Sequence, residues 1–269
     1  MNPILLALVI APASVDMNVI YGSPGGAPLA MDIYKPTQPG PRPAVVVIHG
    51  GGWISGDRKD MSKFCEQLVE NGFVVANVQY RLAPKHKWPA MLDDVQSAVR
   101  FLRRNALMYS IDPQRFGSLG ASAGGHLALM LGMCDTRDPL ASTSQSSKVS
   151  AVVNFFGVSD FTKMMPTWNL LSEAVFGTAA ANIRPVFEAA SPLTHLDKDD
   201  ARVFTFHGTA DWVVPLSQSI LLDERLKLAG IPHEFIQIKD SGHQVDLTRQ
   251  DVRDGLQKMM DWLVETLRP

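Results

Sequence analysis

"SLGASAGGHLALM" (residues 118–130) joins an apolar segment to a second apolar segment with helical spacing, through three glycines. Such strand-to-helix turns either bind phosphate through backbone N–H groups or present a nucleophile. A P-loop needs Lys and Ser/Thr after its last glycine. Gly120 and Gly125 have the P-loop spacing, but His126 and Leu127 follow them. A dinucleotide-binding G-x-G-x-x-G is also absent from the stretch, so we disfavour phosphate binding here.

The same stretch contains G-x-S-x-G, as Gly120-Ala121-Ser122-Ala123-Gly124. This pattern permits a very sharp turn that exposes the central side chain above a sheet, because side chains at the two glycine positions would collide. It follows the strand-like "RFGSL" (115–119) and precedes a helical pattern, as such a turn requires. The sequence therefore predicts Ser122 as a nucleophile.

A serine nucleophile also needs hydrogen-bond donors for the oxyanion that forms when it attacks a carbonyl. "HGGGW" (49–53) directly follows the apolar run 43–48, and its glycines leave backbone N–H groups accessible to a substrate oxygen. We predict an oxyanion hole formed by the N–H groups of Gly51, Gly52 and Ala123.

The general base and its orienting acid are expected after later strands. His243 follows the last predicted strand, and Asp211 follows the strand 203–208. Ser122, Asp211 and His243 then occur in the chain order of an α/β-hydrolase triad. Asp240 and Asp246 are alternative acids, but a position at the end of a strand suits an orienting carboxylate better.

The remaining histidines and the two cysteines are interpreted as structural. His126 lies one helical turn after Ser122 and is expected to pack, with its role left open, while His49 and His207 should bond loop backbone. Cys65 and Cys134 are expected to be small buried residues. His, Cys, Asp and Glu do not recur at metal-ligand spacing, so we predict neither a metal nor a cofactor.

Strand-like segments alternate with helical ones, which predicts a mostly parallel sheet covered on both faces. We predict one domain over residues 1–269, with residues 158–202 inserted as a small cap. The predicted strands are 15–21, 29–34, 43–50, 73–80, 115–119, 149–157, 203–208 and 233–238, and the predicted helices are 61–71, 88–105, 123–134, 215–229 and 251–267. Candidate substrate-pocket residues are Trp53, Met164, Met165 and Trp168.

The composition excludes several classes of partner. The 269 residues carry a formal net charge of −2, which gives no electrostatic signature of nucleic-acid binding. No segment is long and apolar enough for a transmembrane helix.

Residues 4–11 are apolar and precede Ala11-Pro12-Ala13, but no basic residue precedes them. We therefore favour a cytoplasmic protein, with secretion as the alternative if residues 1–14 derive from a signal peptide.

Taken together, these motifs resemble the α/β-hydrolase family, and more narrowly the small esterases related to hormone-sensitive lipase and to bacterial feruloyl and acetyl-xylan esterases. The resemblance spans about residues 15–268. The motifs that carry it are "HGGGW" (49–53), "YRLAP" (80–84), "WPAMLDD" (88–94), "DPQRFGSLGASAGGHLA" (112–128), "GTADWVVP" (208–215) and "SGH" (241–243). Ala121 and His126 depart from the acidic residue and Asn of the hormone-sensitive lipase branch, which favours the bacterial esterases. By the family's pattern, Arg81 and Asp94 are structural residues of a buried polar network.

The expected activity is that of a serine carboxylesterase acting on small, short-chain esters. Carbohydrate acetyl or feruloyl esters are an alternative substrate class. An acyl-peptidase is disfavoured because the chain has no room for a gating domain, and a non-catalytic binding protein is disfavoured because every triad member is present. The oligomeric state and the natural ester stay open.

Overall fold

The computed structural model describes residues 14–134, 145–164, 169–177 and 183–268. Over these residues the strands are β1 Ser14–Gly22, β2 Leu29–Lys35, β3 Arg42–Ile48, β4 Val74–Val78, β5 Ile111–Ala121, β6 Ala151–Phe155, β7 Arg202–Gly208 and β8 His233–Ile238. The α-helices are α1 Ser62–Glu70, α2 Ala90–Arg104, α3 Ala123–Met133, α4 Asn169–Phe176, α5 Ile183–Ala190, α6 Pro192–His195, α7 Ser217–Ala229 and α8 Gln250–Thr266.

The strands form one eight-stranded sheet in the order β1-β2-β4-β3-β5-β6-β7-β8. β1 and β2 pair antiparallel, as do β2 and β4, and every other pairing is parallel. This mostly parallel α/β architecture confirms the predicted fold. Each predicted strand and helix is present, with ends that differ by a few residues.

Both faces of the central strands are buried, as the continuous apolar run of β3 predicts. Val46 and Ile48 face a core cluster that includes residues of α2, α3 and α7. Val45 and Val47 face a second cluster, to which α1 and α8 contribute. The strands β3, β5 and β7 are therefore packed on both sides, which fixes the loops at their carboxyl ends.

In the described part of residues 158–202, the chain forms the short helices α4, α5 and α6 and a 3₁₀ turn at Phe161–Lys163. Aromatic side chains join this segment internally: the ring centroids of Phe161 and Phe176 are 5.2 Å apart, and those of Phe176 and Phe187 are also 5.2 Å apart. Backbone bonds attach it to the rest of the fold, for example from Trp88 N to Val175 O at 2.8 Å. Its role as a cap, and the single domain over residues 1–269, stay predictions.

Two structural interpretations of the sequence are confirmed. Both cysteines, Cys65 and Cys134, are buried. Arg81 forms an ion pair with Asp94 at 2.7 Å, and the Asp94 side chain is almost entirely buried. Within the described residues, no helix is both long and apolar enough to cross a bilayer.

Candidate active site

Ser122 lies in the sharp turn between β5 and α3. Its backbone has φ 56° and ψ −118°, a positive-φ conformation that a non-glycine residue adopts only when its surroundings enforce it. A Cβ at Gly120 would lie 2.1 Å from Gly124 O, and a Cβ at Gly124 would lie 2.1 Å from Ile48 O. The clash at Gly120 is the predicted one between the two glycine positions, whereas Gly124 must be glycine because it approaches the backbone of β3.

His243 lies between Ser122 and Asp211. Its Nε2 is 2.9 Å from Ser122 Oγ, and its Nδ1 is 2.7 Å from Asp211 Oδ2. Because a carboxylate only accepts hydrogen bonds, Nδ1 carries the proton and Nε2 is free to accept one from the serine hydroxyl. Phe156 packs against the imidazole, with ring centroids 4.5 Å apart. This tautomer is the one that a general base for Ser122 needs.

Asp211 is held by donors on both of its oxygens. Oδ1 accepts from Val213 N at 2.8 Å and from Val214 N at 3.0 Å, while Oδ2 faces His243 and also lies 3.2 Å from His207 Nε2. Burial alone would raise the pKa of Asp211, but the hydrogen bonds from His207, His243 and Val214 N, together with the charge of His243, outweigh burial and hold its pKa below the usual value. The carboxylate therefore stays ionised next to His243.

The alternative acids take no part in this arrangement. The backbone N–H of Asp240 donates to Thr209 Oγ1 at 2.8 Å. Asp246 accepts hydrogen bonds from the hydroxyl and the N–H of Thr248, at 2.6 and 3.0 Å. Asp211 is the carboxylate that His243 contacts, in agreement with the preference for an acid at a strand end.

The candidate oxyanion donors lie around the same cavity. Gly51, Gly52 and Ala123 line a cavity of about 710 Å³ together with Ser122 and His243. Gly51 and Gly52 have φ of 106° and 59°, and a Cβ at Gly51 would lie 2.2 Å from Ser55 O. Ala123 is the first residue of α3, where a backbone N–H has no partner within the helix. The three residues therefore line one cavity, and the role of their N–H groups as oxyanion donors stays a prediction.

The predicted pocket residues divide into three cases. Trp53 lines the cavity, although its side chain is mostly buried. Met164 packs against the core and is not among the described residues that line the cavity. Met165 and Trp168 lie outside the described residues. The remaining described lining is apolar and was not predicted: it consists of Phe156, Val158, Trp212, Val213 and Val214.

His49 and His207 are buried and hydrogen-bonded, and one contact of His207 was not predicted. His49 Nδ1 lies 2.7 Å from Gly50 O, and His207 Nε2 lies 2.9 Å from Val214 O, so both bond loop backbone as predicted. His207 also reaches Asp211 Oδ2, and Ser219 Oγ lies 2.7 Å from its Nδ1. The position of His207 at a strand end was the only signal of this contact in the sequence. Across the described residues, no cluster of three or more metal-ligating side chains occurs.

Several known proteins are similar to this chain in sequence. The BD-FAE family model matches residues 31–226. Esterase LipQ of Mycobacterium tuberculosis is 30% identical over 250 residues, which are 87% of this chain and 58% of LipQ. The chain spans about three fifths of the length of the curated relatives it matches.

Solved structures match the chain over nearly its whole length. A thermophilic esterase of Thermogutta terrifontis is 28% identical with a TM-score of 0.80, covering 97% of this chain and 95% of its own. That esterase has also been solved with propionate bound, with butyrate bound and phosphorylated by paraoxon. A truncated form of a carbohydrate esterase from gut microbiota is 28% identical with a TM-score of 0.74, covering 94% of this chain and 96% of the truncated form.

Proposed function

The chain belongs to the BD-FAE family, and from this membership and the geometry of its site we propose that it is a serine carboxylesterase for short-chain carboxylic esters. The observation that carries the proposal is the continuous chain of hydrogen bonds from Ser122 through His243 to Asp211, at 2.9 and 2.7 Å. Ser122 and His243 line a cavity that is also lined by the residues of the candidate oxyanion donors. Esterases among the related proteins support the same reaction class.

The geometry fits a two-step acyl transfer. Ser122 Oγ attacks the ester carbonyl while His243 Nε2 takes the hydroxyl proton, and Asp211 stabilises the imidazolium that forms. The N–H groups of Gly51, Gly52 and Ala123 bind the negative oxygen of the tetrahedral intermediate. That intermediate collapses to the acyl-enzyme, and His243 returns the proton to the departing alcohol. Water then attacks the acyl group with the same base, releasing the carboxylic acid and restoring Ser122.

The test of the triad is Ser122→Ala with p-nitrophenyl acetate and butyrate as substrates. We expect kcat to fall by about 10⁴-fold or more, since a serine nucleophile and its base act as a unit. Ser217→Ala is the matched control because Ser217 is exposed on α7, and it should retain wild-type turnover. Undiminished hydrolysis by a folded Ser122→Ala enzyme would reject the assignment.

The preference for short acyl chains is tested on p-nitrophenyl esters of increasing length with the alcohol held constant. The apolar lining of the cavity supports binding of a small alkyl group, and propionate and butyrate bind the Thermogutta terrifontis esterase. We expect kcat/KM to be highest for acyl groups of two to about six carbons, because burial of each methylene stabilises binding only while the cavity has room for it. A maximum at ten or more carbons would contradict this.

An ester of a carbohydrate is the second candidate substrate, and Trp212 favours it. Trp212 lines the cavity with 86% of its surface exposed, which is unusual for an indole and leaves a flat apolar face for a sugar ring. Similarity to a carbohydrate esterase supports the same reading. We expect Trp212→Ala to raise KM for acetylated xylo-oligosaccharides by about 3- to 10-fold and to leave KM for ethyl acetate unchanged. If wild type and Trp212→Ala had equal KM values for the oligosaccharide, the carbohydrate ester would be contradicted and the simple ester would stand as the substrate class.

A further inference from the structure

The loop that carries two of the candidate oxyanion donors continues into a residue with an unusual backbone. Trp53 directly follows Gly52 and has φ 61°, a left-handed value that costs a bulky side chain about 1–3 kcal/mol. Such a conformation persists only where neighbouring groups hold it. The direction of the Gly52–Trp53 segment, and with it the direction of the Gly51 and Gly52 N–H groups, therefore depends on what fixes Trp53.

Contacts on both the backbone and the side chain fix Trp53. Its carbonyl accepts from Ala83 N at 2.9 Å. Its indole Nε1–H donates to His126 Nδ1 at 3.2 Å, in a pair that is buried from solvent. Its ring meets the His126 ring edge-on, with centroids 5.3 Å apart, and packs against Phe161 at 5.5 Å. The indole N–H of Trp53 therefore donates to His126, which lies one helical turn after Ser122 on α3.

The second nitrogen of His126 is also engaged. Nε2 lies 2.8 Å from the carbonyl oxygen of Ala190, the last residue of α5. Because the indole is only a donor and the carbonyl only an acceptor, His126 is a neutral imidazole with its proton on Nε2. It is completely buried. The side chain of His126 thus links three parts of the fold: the glycine loop (residues 50–53), the helix α3 that follows Ser122, and residues 158–202.

We propose that His126 is a positioning residue for the oxyanion hole, which it holds in its binding geometry through the hydrogen bond to Trp53. The proposal rests on the proposed esterase function. It assigns His126 no contact with the substrate: its effect passes from Nδ1 to the indole and from Trp53 to the preceding glycines. Removing a single oxyanion donor costs about 10²–10³ in rate, so a misdirected one should cost part of that factor.

Two substitutions separate the two hydrogen bonds of His126. In His126→Asn the amide oxygen occupies the position of Nδ1, so it can accept from Trp53 but cannot reach Ala190. In His126→Gln the longer amide reaches the position of Nε2, so it can donate to Ala190 but gives Trp53 no acceptor. Trp53→Phe keeps a buried aromatic ring and removes the donor from the other side of the same bond.

The measurements are kcat and KM for p-nitrophenyl butyrate and the inhibition constant of an alkyl trifluoromethyl ketone. That inhibitor forms a tetrahedral oxyanion adduct with a serine nucleophile, so its affinity reports on the oxyanion hole. We expect His126→Gln and Trp53→Phe to lower kcat by about 10- to 100-fold, to leave KM within about twofold, and to weaken the inhibitor in proportion to kcat. His126→Asn should retain kcat within about threefold, and the double variant Trp53→Phe/His126→Gln should lose no more than either single variant.

The proposal is overturned if His126→Gln and Trp53→Phe retain wild-type kcat, or if His126→Asn falls as far as His126→Gln. A kcat loss without weaker inhibitor binding would also overturn it, because a merely structural role could produce that result. Should His126→Gln fail to fold, Trp53→Phe carries the test alone. Activity of Ser122→Ala measured in parallel keeps the two proposals apart, since only failure of the triad would leave that variant active.

Discussion

Gly124 lies in the first turn of α3, directly over the carboxyl end of β3. An added Cβ there would lie 2.1 Å from Ile48 O and 2.5 Å from His49 O, and both neighbours are backbone atoms that cannot rotate away. We expect Gly124→Ala to reduce the free energy of unfolding by about 3 kcal/mol or more, the upper range for forced overpacking. Urea denaturation followed by tryptophan fluorescence measures this change.

Gly22 provides the control for Gly124→Ala. A Cβ at Gly22 would meet only side-chain carbons of Leu29 and Pro24, both 4.0 Å away, which is ordinary van der Waals contact. Gly22→Ala should therefore change the free energy of unfolding by less than about 1 kcal/mol. Equal stability of the Gly124→Ala and Gly22→Ala proteins would contradict the steric account of G-x-S-x-G.

At the scale of single residues, the sequence was informative where the proposed reaction allows only a few residue types at the end of a strand. Ser122, Asp211 and His243 were identified from their order and from the strands they follow, and the structure brings them within hydrogen-bond distance. The contact between His207 and Asp211, and the bond from Trp53 to His126, were not predicted. Both depend on how side chains meet across loops, which residue spacing does not encode.

At the scale of elements, α2 is tied to the segment after β4 by one ion pair. Arg81 Nε and Nη2 donate to the Asp94 carboxylate at 2.7–2.9 Å, and Arg81 N adds a bond of 2.8 Å. The side chain of Asp94 is 3% exposed and that of Arg81 is 19% exposed. Removal of one partner leaves the other charge buried without compensation, at a cost of about 3–5 kcal/mol for a fully buried pair.

Because Arg81 keeps some contact with water, we expect Asp94→Asn to lower the free energy of unfolding by about 2–3 kcal/mol. The exposed pair of Arg184 and Glu188 on α5, whose N–O distance is 2.9 Å, is the control. Glu188→Gln should cost less than about 0.5 kcal/mol. Urea denaturation of both variants tests the difference, and equal losses would show that burial does not determine the contribution of these pairs.

The elements themselves were predictable because buried parallel strands and amphipathic helices have strong patterns. Their ends were less predictable. β5 was expected over residues 115–119 and extends over Ile111–Ala121, since its pairing with β3 reaches from Arg42 to Ile48. The short helices of residues 158–202 gave no clear period, because their aromatic residues are fixed by contacts with one another and with the core rather than by one helix face.

At the scale of the whole molecule, the parallel sheet assembles the site. β3, β5, β7 and β8 run in the same direction, so the segments that follow them meet at one edge of the sheet. Those segments carry the glycine loop, Ser122, Asp211 and His243. This convergence follows from topology alone, which is why a candidate site spread over 193 positions, from Gly51 to His243, was largely predictable from the sequence.

The buried histidines also make stability depend on pH. Burial lowers the pKa of His126 to about 4 and also lowers the pKa of His49. An unfolded histidine has a pKa of about 6.5, so between these values the unfolded chain binds more protons than the folded one. Stability therefore decreases as pH falls through this window, and His126 alone should account for about 2 kcal/mol between pH 7 and pH 4.5.

His126→Asn isolates that contribution, because Asn does not titrate. We expect the variant to be less stable than wild type at pH 7, owing to the lost bond to Ala190, and this deficit to shrink by about 2 kcal/mol at pH 4.5. Free energies of unfolding in urea at the two pH values measure the change. Gly22→Ala alters no titratable group, so its difference from wild type should be the same at both pH values. A deficit of His126→Asn that is also independent of pH would contradict a neutral, buried His126 in the folded protein.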